Sequence, residues 1–534
     1  MRSNKVIFIV LDGAPFDVFY SLAQKGVLPN MQKLMKKGCF NLLNSTIPPT
    51  SPVAIPSLLT GRNPGKHGMF GFGYKENGIF RPYTSKSFVG ETICDILAFA
   101  NKKVILLNVP WTFPPFKVNG IMISGPPSPR NRAESYPPEI IRILRSKIGE
   151  YYVDLNIKAL DYMGFDEEAF IKEAYLVTKR RAEAFYYLMN NYEWDLFLAV
   201  FTTLDRMQHV FFGYLDEESP FFNAEKRKIL IDYYKKIDNI LGKTISLLNE
   251  DTFLVVASDH GFEYLSKYVG LNNILAEAGF IEERSKFNVF TIERIMSFLH
   301  RIGLKYVTRM LSERTQNIVR ASFPARTDYS RSKCYALSGG AFVINRNHIA
   351  TEQAVEVFKK RLTDILYAME DDSDRVVEKV YERSEIYHGN RVGDAPDLII
   401  VPRKGYELRA WAKETLEPVK IVENRTVKTG THISFASRKG IFIISGPNIN
   451  EGLRIMANIV DIAPTILHIL GVPVSPSMDG KVLRQIFKPK SRFKTQRVKL
   501  QEVPKREKEY RQLEYHEEDI KERLRKLGYI SDAE

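Results

Sequence analysis

Short runs of β-branched and apolar residues, each closed by turn residues, recur along the chain: KVIFIVLDG from residue 5, KVILLNVP from 103, DLFLAVFTTLD from 195, TFLVVASDHG from 252, DLIIVP from 397 and GIFIISGP from 440. Uninterrupted apolar runs of this length read as buried strands. Stretches with helical spacing of apolar positions lie between several of them, over 166–191, 224–249, 352–369 and 457–471. Buried strands alternating with helices predict an α/β fold with a mostly parallel central sheet flanked by helices on both faces. In such sheets ligands gather at the carboxyl ends of the strands, where the connecting loops are free to carry chemistry. The polar residues at those ends are Asp12, Asp205, and Asp259 with His260.

The pattern divides the chain into a first part of the α/β core over 1–282, a helical cap insertion over 283–332, a second part of the core over 333–487 and a charged tail over 488–534. Within the first part, 124–165 opens with GPPSPR and reads as a lid-like loop carrying a short basic helix. The insertion has ERIMSFLHRIGLKYVTRML at its centre, which an amphipathic surface helix would also explain. The tail holds six Lys or Arg and no acid between Lys488 and Lys499, then becomes mixed in charge and helix-prone through YHEEDIKERLRKLGY. A solvated strap with a terminal helix docked on the body is the leading expectation. Contact of 488–499 with an anionic membrane surface is the weaker one.

Composition narrows the classes. At 534 residues with 44% apolar content the chain can bury a large core. Lys plus Arg number 77 against 63 Asp plus Glu, an excess of 14 that favours anionic partners without saying which. No specific nucleic-acid motif accompanies the charge, and no run of about 18 apolar residues predicts a transmembrane segment. Cys39, Cys94 and Cys334 are widely spaced and form no C-x-x-C pair, so neither a disulfide framework nor a thiolate metal site is expected. With no secretion signal at the N-terminus, a cytoplasmic location follows as the expectation.

Candidate chemistry begins at Ser51, in PPTSPVAIPSLLTGRNPGKHG. A serine before proline and an apolar run predicts an N-cap with Pro52 at the first helical position, placing the hydroxyl at the positive end of a helix dipole. That position suits a nucleophile attacking an anionic group, although a purely structural cap has the same signature. Pro56 predicts a kink or a short helix. Asp205 and His209 are four apart in LDRMQH and share a face if the segment is helical. His260 sits in SDHG and His432 in KTGTHISF. Imidazole with carboxylate suits zinc, with manganese or iron as substitutes. Singly, each is an ordinary helix cap, turn or solvated loop histidine; together and in order they make a specific signal.

The LDG of Asp12, the Ser51 segment running to TGRNPGKHG, then TLDRMQH, SDHG and GTH occur in an order that resembles the alkaline phosphatase superfamily, in particular its type I phosphodiesterase and nucleotide pyrophosphatase branch. APDLIIVP and IVDIAPTILHILGVPVSPSMDG resemble its later core segments, and the likeness spans roughly residues 5–485. It implies metal-dependent hydrolysis of small-molecule phosphate esters, above all phosphodiesters. One divalent ion would be held by Asp12, Ser51, Asp259 and His260, and a second by Asp205, His209 and His432, both expected to be zinc, with manganese as the alternative metal. Ser51 would attack phosphorus and form a phosphoseryl intermediate, with Thr50 the rival hydroxyl. One feature departs from the branch: an asparagine that helps hold the phosphoryl oxygen would fall near Phe72. Lys66, Arg62 or a cap residue are the replacements to consider. A phosphomutase of the same superfamily and a non-catalytic anion-binding member are the alternative readings. A sulfatase is disfavoured because Ser51 continues as SPVAI, without the arginine that chemistry needs.

Overall fold

The computed structural model describes residues 4–76, 79–88, 90–155, 165–282, 331–410, 420–504, 508–527 and 529–530. Almost all of the expected insertion over 283–332 lies outside the described residues.

Nine strands form one sheet among the described residues. They are β1 (Lys5–Leu11), β2 (Cys39–Asn44), β3 (Val104–Val109), β4 (Gly120–Ser124), β5 (Ser135–Tyr136), β6 (Leu196–Phe201), β7 (Thr252–Ala257), β8 (Lys439–Ser445) and β9 (Ala457–Asn458). Their spatial order is β9-β2-β8-β7-β1-β6-β3-β4-β5. The centre is parallel: β1 pairs with β7 on one side and β6 on the other, and β6 with β3. Strand β8 runs antiparallel to both β7 and β2.

The alternation of side chains explains why the central strands read as unbroken apolar runs. Ile7, Ile9 and Leu11 of β1 enter one core with residues of the helices Phe16–Gln24, Glu167–Asn191, Thr203–Leu215 and Arg227–Ser246. Val6, Phe8 and Val10 enter the other with residues of Ser51–Thr60, Ile93–Phe99 and Ile462–Ile469. Both faces are covered, so each Val, Leu, Ile or Phe of these strands gains about 1.5–3 kcal/mol from burial whichever way it points.

The run DLIIVP does form a strand, Leu398–Pro402, but in a separate antiparallel sheet with Cys334–Leu337, Ala341–Ile344 and Val377–Glu382. That sheet has its own core, shared with the helix Glu352–Tyr367. The stretch 457–471 opens with a 3-10 turn over Ile459–Asp461, closed where Asp461 accepts the Asn458 amide at 3.0 Å, and continues as an α-helix over Ile462–Ile469. Within 124–165, the described residues add β5 to the sheet edge and form the helix Glu139–Ile148.

The helix Ser51–Thr60 is nearly all buried and runs for ten residues through Pro56 to Gly61, whose φ of 63° ends it in the left-handed region. Its N-cap is Thr50, one residue earlier than the sequence predicts, so Ser51 is the first helical residue. Beneath this helix His67 is fully buried: its Nδ1 accepts the Met69 amide at 3.2 Å, so Nε2–H donates to Ser57 Oγ at 2.9 Å. Burial, then Arg62, lowers its pKa from 6.5 to about 3. The unfolded chain therefore binds this proton more readily, and stability is lost as pH falls from 6.5 toward 3. Between pH 7 and pH 4 the group should account for about 3 kcal/mol. Urea melts of the wild type and His67→Asn should show a pH dependence weaker by that amount in the variant; equal slopes would contradict the assignment.

The tail packs along the body. Leu500 bridges to Val474 and Tyr510 to Phe116, and Arg511 pairs with Glu134 at 2.6 Å. The helix Glu517–Lys526 buries Ile520 and Leu524 against Phe80 and Phe113. Lys488, Lys490, Arg492, Arg497 and Lys499 remain exposed. Among the described residues no helix is long and apolar enough to cross a membrane. All three cysteines are free and buried, and burial raises the Cys39 and Cys94 thiols to about 12.

Candidate active site

Three parallel strands deliver the carboxylates to one edge of the sheet. Strand β1 ends at Leu11, and Asp12 follows in a turn at Gly13, φ 73°. A Cβ on Gly13 would lie 3.0 Å from Gln208 Nε2 and 3.1 Å from the Phe262 ring, so the turn needs glycine. The Gly13 amide donates to Asp259 Oδ1 at 3.2 Å. Asp259 and His260 follow β7, and Asp205 and His209 lie on the helix Thr203–Leu215 that follows β6. His432 comes after the short strand Gly430–Thr431, which pairs with Glu263 and Tyr264. Ser51 opens its helix from the opposite face of the sheet.

All seven residues singled out in the sequence converge. Ser51 Oγ lies 3.1 Å from His260 Nε2 and 3.4 Å from Asp12 Oδ1. His260 Nε2 lies 3.6 Å from Asp12 Oδ1 and 3.5 Å from Asp259 Oδ2. On the other side, Asp205 Oδ2 lies 3.4 Å from His209 Nε2, and Asp205 Oδ1 lies 3.6 Å from His432 Nε2. The His260 and His432 rings stack with centroids 3.9 Å apart. Asp12, Asp259 and His260 form one group able to hold an ion, and Asp205, His260 and His432 another.

Each imidazole is oriented through its Nδ1, which donates to a backbone carbonyl: His209 to Gly430 at 3.0 Å, His260 to Gly261 at 2.9 Å and His432 to Pro49 at 3.2 Å. That fixes the tautomer and turns each Nε2 lone pair into the site, the arrangement metal-binding histidines use. Burial lowers His209 to about 4, and burial with the neighbouring His260 holds His432 well below its usual value. Burial followed by the charges of Asp259 and Asp205 raises Asp12 well above the carboxylate range. For Asp205 burial works upward too, but His209, Arg206 and His432 outweigh it and hold the group low.

Asp205 Oδ1, His209 Nε2 and Asp259 Oδ2 are buried without a hydrogen-bond partner. Buried polar atoms left unpartnered are costly, and these fit ligands of divalent cations: Asp259 Oδ2 in the group with Asp12 and His260, and Asp205 Oδ1 in the group with His260 and His432. The donor set of carboxylates and neutral imidazoles suits zinc or manganese.

Of the two neighbouring hydroxyls, Ser51 faces acceptors in the site, whereas Thr50 Oγ1 is buried and bonds none. The helix start supplies its dipole more than a row of free amides: Pro52 has none, and those of Val53 and Ala54 both bond the Thr50 carbonyl. At position 72 stands a ring stacked on Tyr529, with centroids 4.6 Å apart. Lys66 and Arg62 are committed elsewhere, Lys66 to Asp479 at 2.5 Å and Arg62 to Glu91 at 2.5 Å and to Ser477.

A set of residues that the sequence did not single out surrounds Asp205. Arg206 donates to Asp205 Oδ2 at 2.5 Å and to Asp154 at 2.9 Å, and Arg523 of the tail lies 3.5 Å from Asp154. Arg206 lies within the LDRMQH segment, but a charged residue on a helix looks the same in sequence whether solvated or buried. Asp154 and Arg523 carried no local signal at all.

The profile of the family described as type I phosphodiesterase / nucleotide pyrophosphatase matches residues 6–432. No curated protein matches the chain. Among solved structures, it is similar to murine ectonucleotide pyrophosphatase / phosphodiesterase 5, in an inactive form in complex with AMP, at 13% identity and a TM-score of 0.52 over 91% of this chain and 100% of that one. The human ectonucleotide pyrophosphatase / phosphodiesterase 5 is similar at 14% identity, with a TM-score of 0.51 over 90% of this chain and 99% of that one. At these identities the likeness is one of fold.

Proposed function

Because the chain belongs to the type I phosphodiesterase / nucleotide pyrophosphatase family, we propose that it hydrolyses small-molecule phosphodiesters through Ser51 at a centre of two divalent cations. The observation that carries this reading is the pair of buried groups that share His260, Asp12 with Asp259 and Asp205 with His432, where Asp259 Oδ2 and Asp205 Oδ1 lack partners and His260 Nε2 lies 3.1 Å from the Ser51 hydroxyl. Asp12, Ser51, Asp259 and His260 would hold one cation, and Asp205, His209 and His432 the other. Bound there, such a pair supplies electrostatic stabilisation of the charge that develops on the transferring phosphoryl group and eases deprotonation of the attacking groups.

The chain's own residues position the reaction. His260 and Asp12 aim the Ser51 oxygen, and the N-terminal end of its helix favours negative charge on both nucleophile and phosphate. Ser51 Oγ gives up its proton to solvent and bonds to phosphorus as the ester P–O bond breaks, and the departing alkoxide takes up a proton from solvent and leaves as the alcohol. A water oxygen then bonds to phosphorus as the Ser51 O–P bond breaks, one proton of that water passing to the Ser51 oxygen and the phosphate monoester leaving.

A cavity of about 280 Å³, lined in part by Phe72, Tyr74, Tyr83 and Tyr335, meets the site through Tyr529, whose hydroxyl bonds Asp205. Aromatic walls suit the planar group of a nucleotide ester, the class of ligand in the murine structure bound to AMP. The free buried cysteines accord with a cytoplasmic location.

Metal content and hydrolysis of a chromogenic phosphodiester and the matching monoester, before and after chelation, test the proposal together. The expected result is about two divalent ions per chain, faster cleavage of the diester, loss on chelation and recovery with zinc or manganese. Ions bound with neither ester cleaved would replace hydrolysis by phosphoryl transfer within the same superfamily. Absence of bound ions would overturn the mechanism.

A further inference from the structure

The end of the tail reaches the candidate centre. Tyr529, beyond the helix Glu517–Lys526, donates its hydroxyl to Asp205 Oδ2 at 3.0 Å and accepts from the Arg206 guanidinium. Its ring stacks on Phe72, and its centroid lies 6.1 Å from that of His209. Arg206 Nη1 donates to the same Asp205 oxygen at 2.5 Å. Oδ2 is thus occupied twice by the protein itself and lies 3.4 Å from His209 Nε2, while Oδ1 is buried, unpartnered and 3.6 Å from His432 Nε2.

The hydroxyl is doubly engaged, as acceptor and as donor, so it is a fixed link rather than a free group. What fixes it is the same tail. Arg523, in the last turns of the helix, lies 3.5 Å from Asp154 and donates to the Leu155 carbonyl. Asp154 in turn accepts from Arg206 at 2.9 Å. Two arginines and two aspartates alternate in a buried chain running from the tail to a candidate metal ligand, and Tyr529 closes it into a loop. A strap that served only to cover apolar surface would need the contacts of Ile520 and Leu524 but none of these.

We propose that the C-terminal tail is a working part of the centre: Tyr529 is a positioning residue that, with Arg206, holds Asp205 by Oδ2 so that its unpartnered Oδ1, the oxygen beside His432, faces the cation. The proposal rests on the two-cation reading above. It makes the ring of Phe72 intelligible as well, since that ring is the surface on which Tyr529 is seated. Outer hydrogen-bond partners of metal ligands typically contribute 10- to 100-fold to metal affinity.

The test is the zinc affinity of each of the two sites, measured by competition with a chromophoric chelator, in full-length wild type, Tyr529→Phe and Phe72→Leu, with thermal melts of the metal-free proteins as a check on folding. Tyr529→Phe keeps the ring and removes the hydroxyl. It should weaken one ion by about 10-fold or more and leave the other unchanged. With zinc in excess, kcat on the diester should recover and KM stay near the wild-type value. Phe72→Leu keeps the hydroxyl and leaves an apolar side chain for the Tyr529 ring to rest on, and should retain both affinities within about threefold. Wild-type affinity at both sites in Tyr529→Phe would overturn the role of the hydroxyl while leaving the two-cation centre standing. A loss confined to Phe72→Leu would assign the effect to the ring and overturn it equally. Wild-type protein that binds no ion would remove the two-cation centre and this role with it.

Discussion

Ser51→Ala should lower turnover of a phosphodiester by at least about 10³-fold and abolish the burst that a phosphoseryl intermediate produces. The size follows from what the substitution removes. Ser51 Oγ is the one hydroxyl of the Thr50 and Ser51 pair that faces acceptors in the site, 3.1 Å from His260 Nε2 and 3.4 Å from Asp12 Oδ1. Water has no comparable anchoring once the oxygen is gone. Metal content should stay close to wild type, because Asp12, Asp259 and His260 still converge from β1 and the loop after β7. Rapid-quench kinetics with a chromogenic diester measure the burst, and metal analysis of the same sample measures occupancy. A full-sized burst from Ser51→Ala would transfer the nucleophile to Thr50. A loss of both ions would mean that Ser51 is chiefly a ligand.

Asp259→Asn should have the second largest effect, and its sign should depend on whether ions are present. In the loaded protein the substitution removes a buried, unpartnered oxygen proposed as a ligand, Asp259 Oδ2, and activity should fall by at least about 10³-fold with loss of one ion. Thermal stability should fall too, because ligands that bind only the folded state stabilise it. In chelated protein the direction reverses. Asp12 is raised by burial first and then by the charge of Asp259, so without cations the two carboxylates repel in a buried site. Removing one charge should therefore raise the melting temperature of chelated protein. Thermal melts of wild type and variant, each with and without chelator, contain the whole prediction. If the variant is the less stable in both conditions, the carboxylates are held by contacts other than cations.

Much of the candidate site was legible because its residues occupy places that local pattern can name. Asp12 and Asp259 end apolar runs that could only be buried strands, and parallel strands share a carboxyl edge, so two distant segments were bound to arrive together. Asp205 and His209 needed only the four-residue repeat of a helix. Ser51 was placed at a helix start to within one residue; the actual cap is Thr50, a boundary decided by the turn before it rather than by residue type.

The sequence by itself determined the buried strands, the sheet they build and the edge at which the chemistry-bearing residues meet, because each depends on a periodicity carried within a dozen residues. Tertiary structure alone decided the partners. Leu398–Pro402 has the composition of a central strand, yet it pairs in the second sheet, since a run of apolar residues does not specify its neighbours. Lys66 and Arg62 had the right charge to hold a phosphoryl oxygen, but Asp479 and Glu91 had already claimed them. Tyr529 reaches Asp205 across 324 positions of chain, and Arg523 reaches Asp154 from the same tail. Nothing local separates these residues from a solvated, charged tail, because a side chain's partner across such a distance is fixed by how the body packs and not by its own neighbours in sequence.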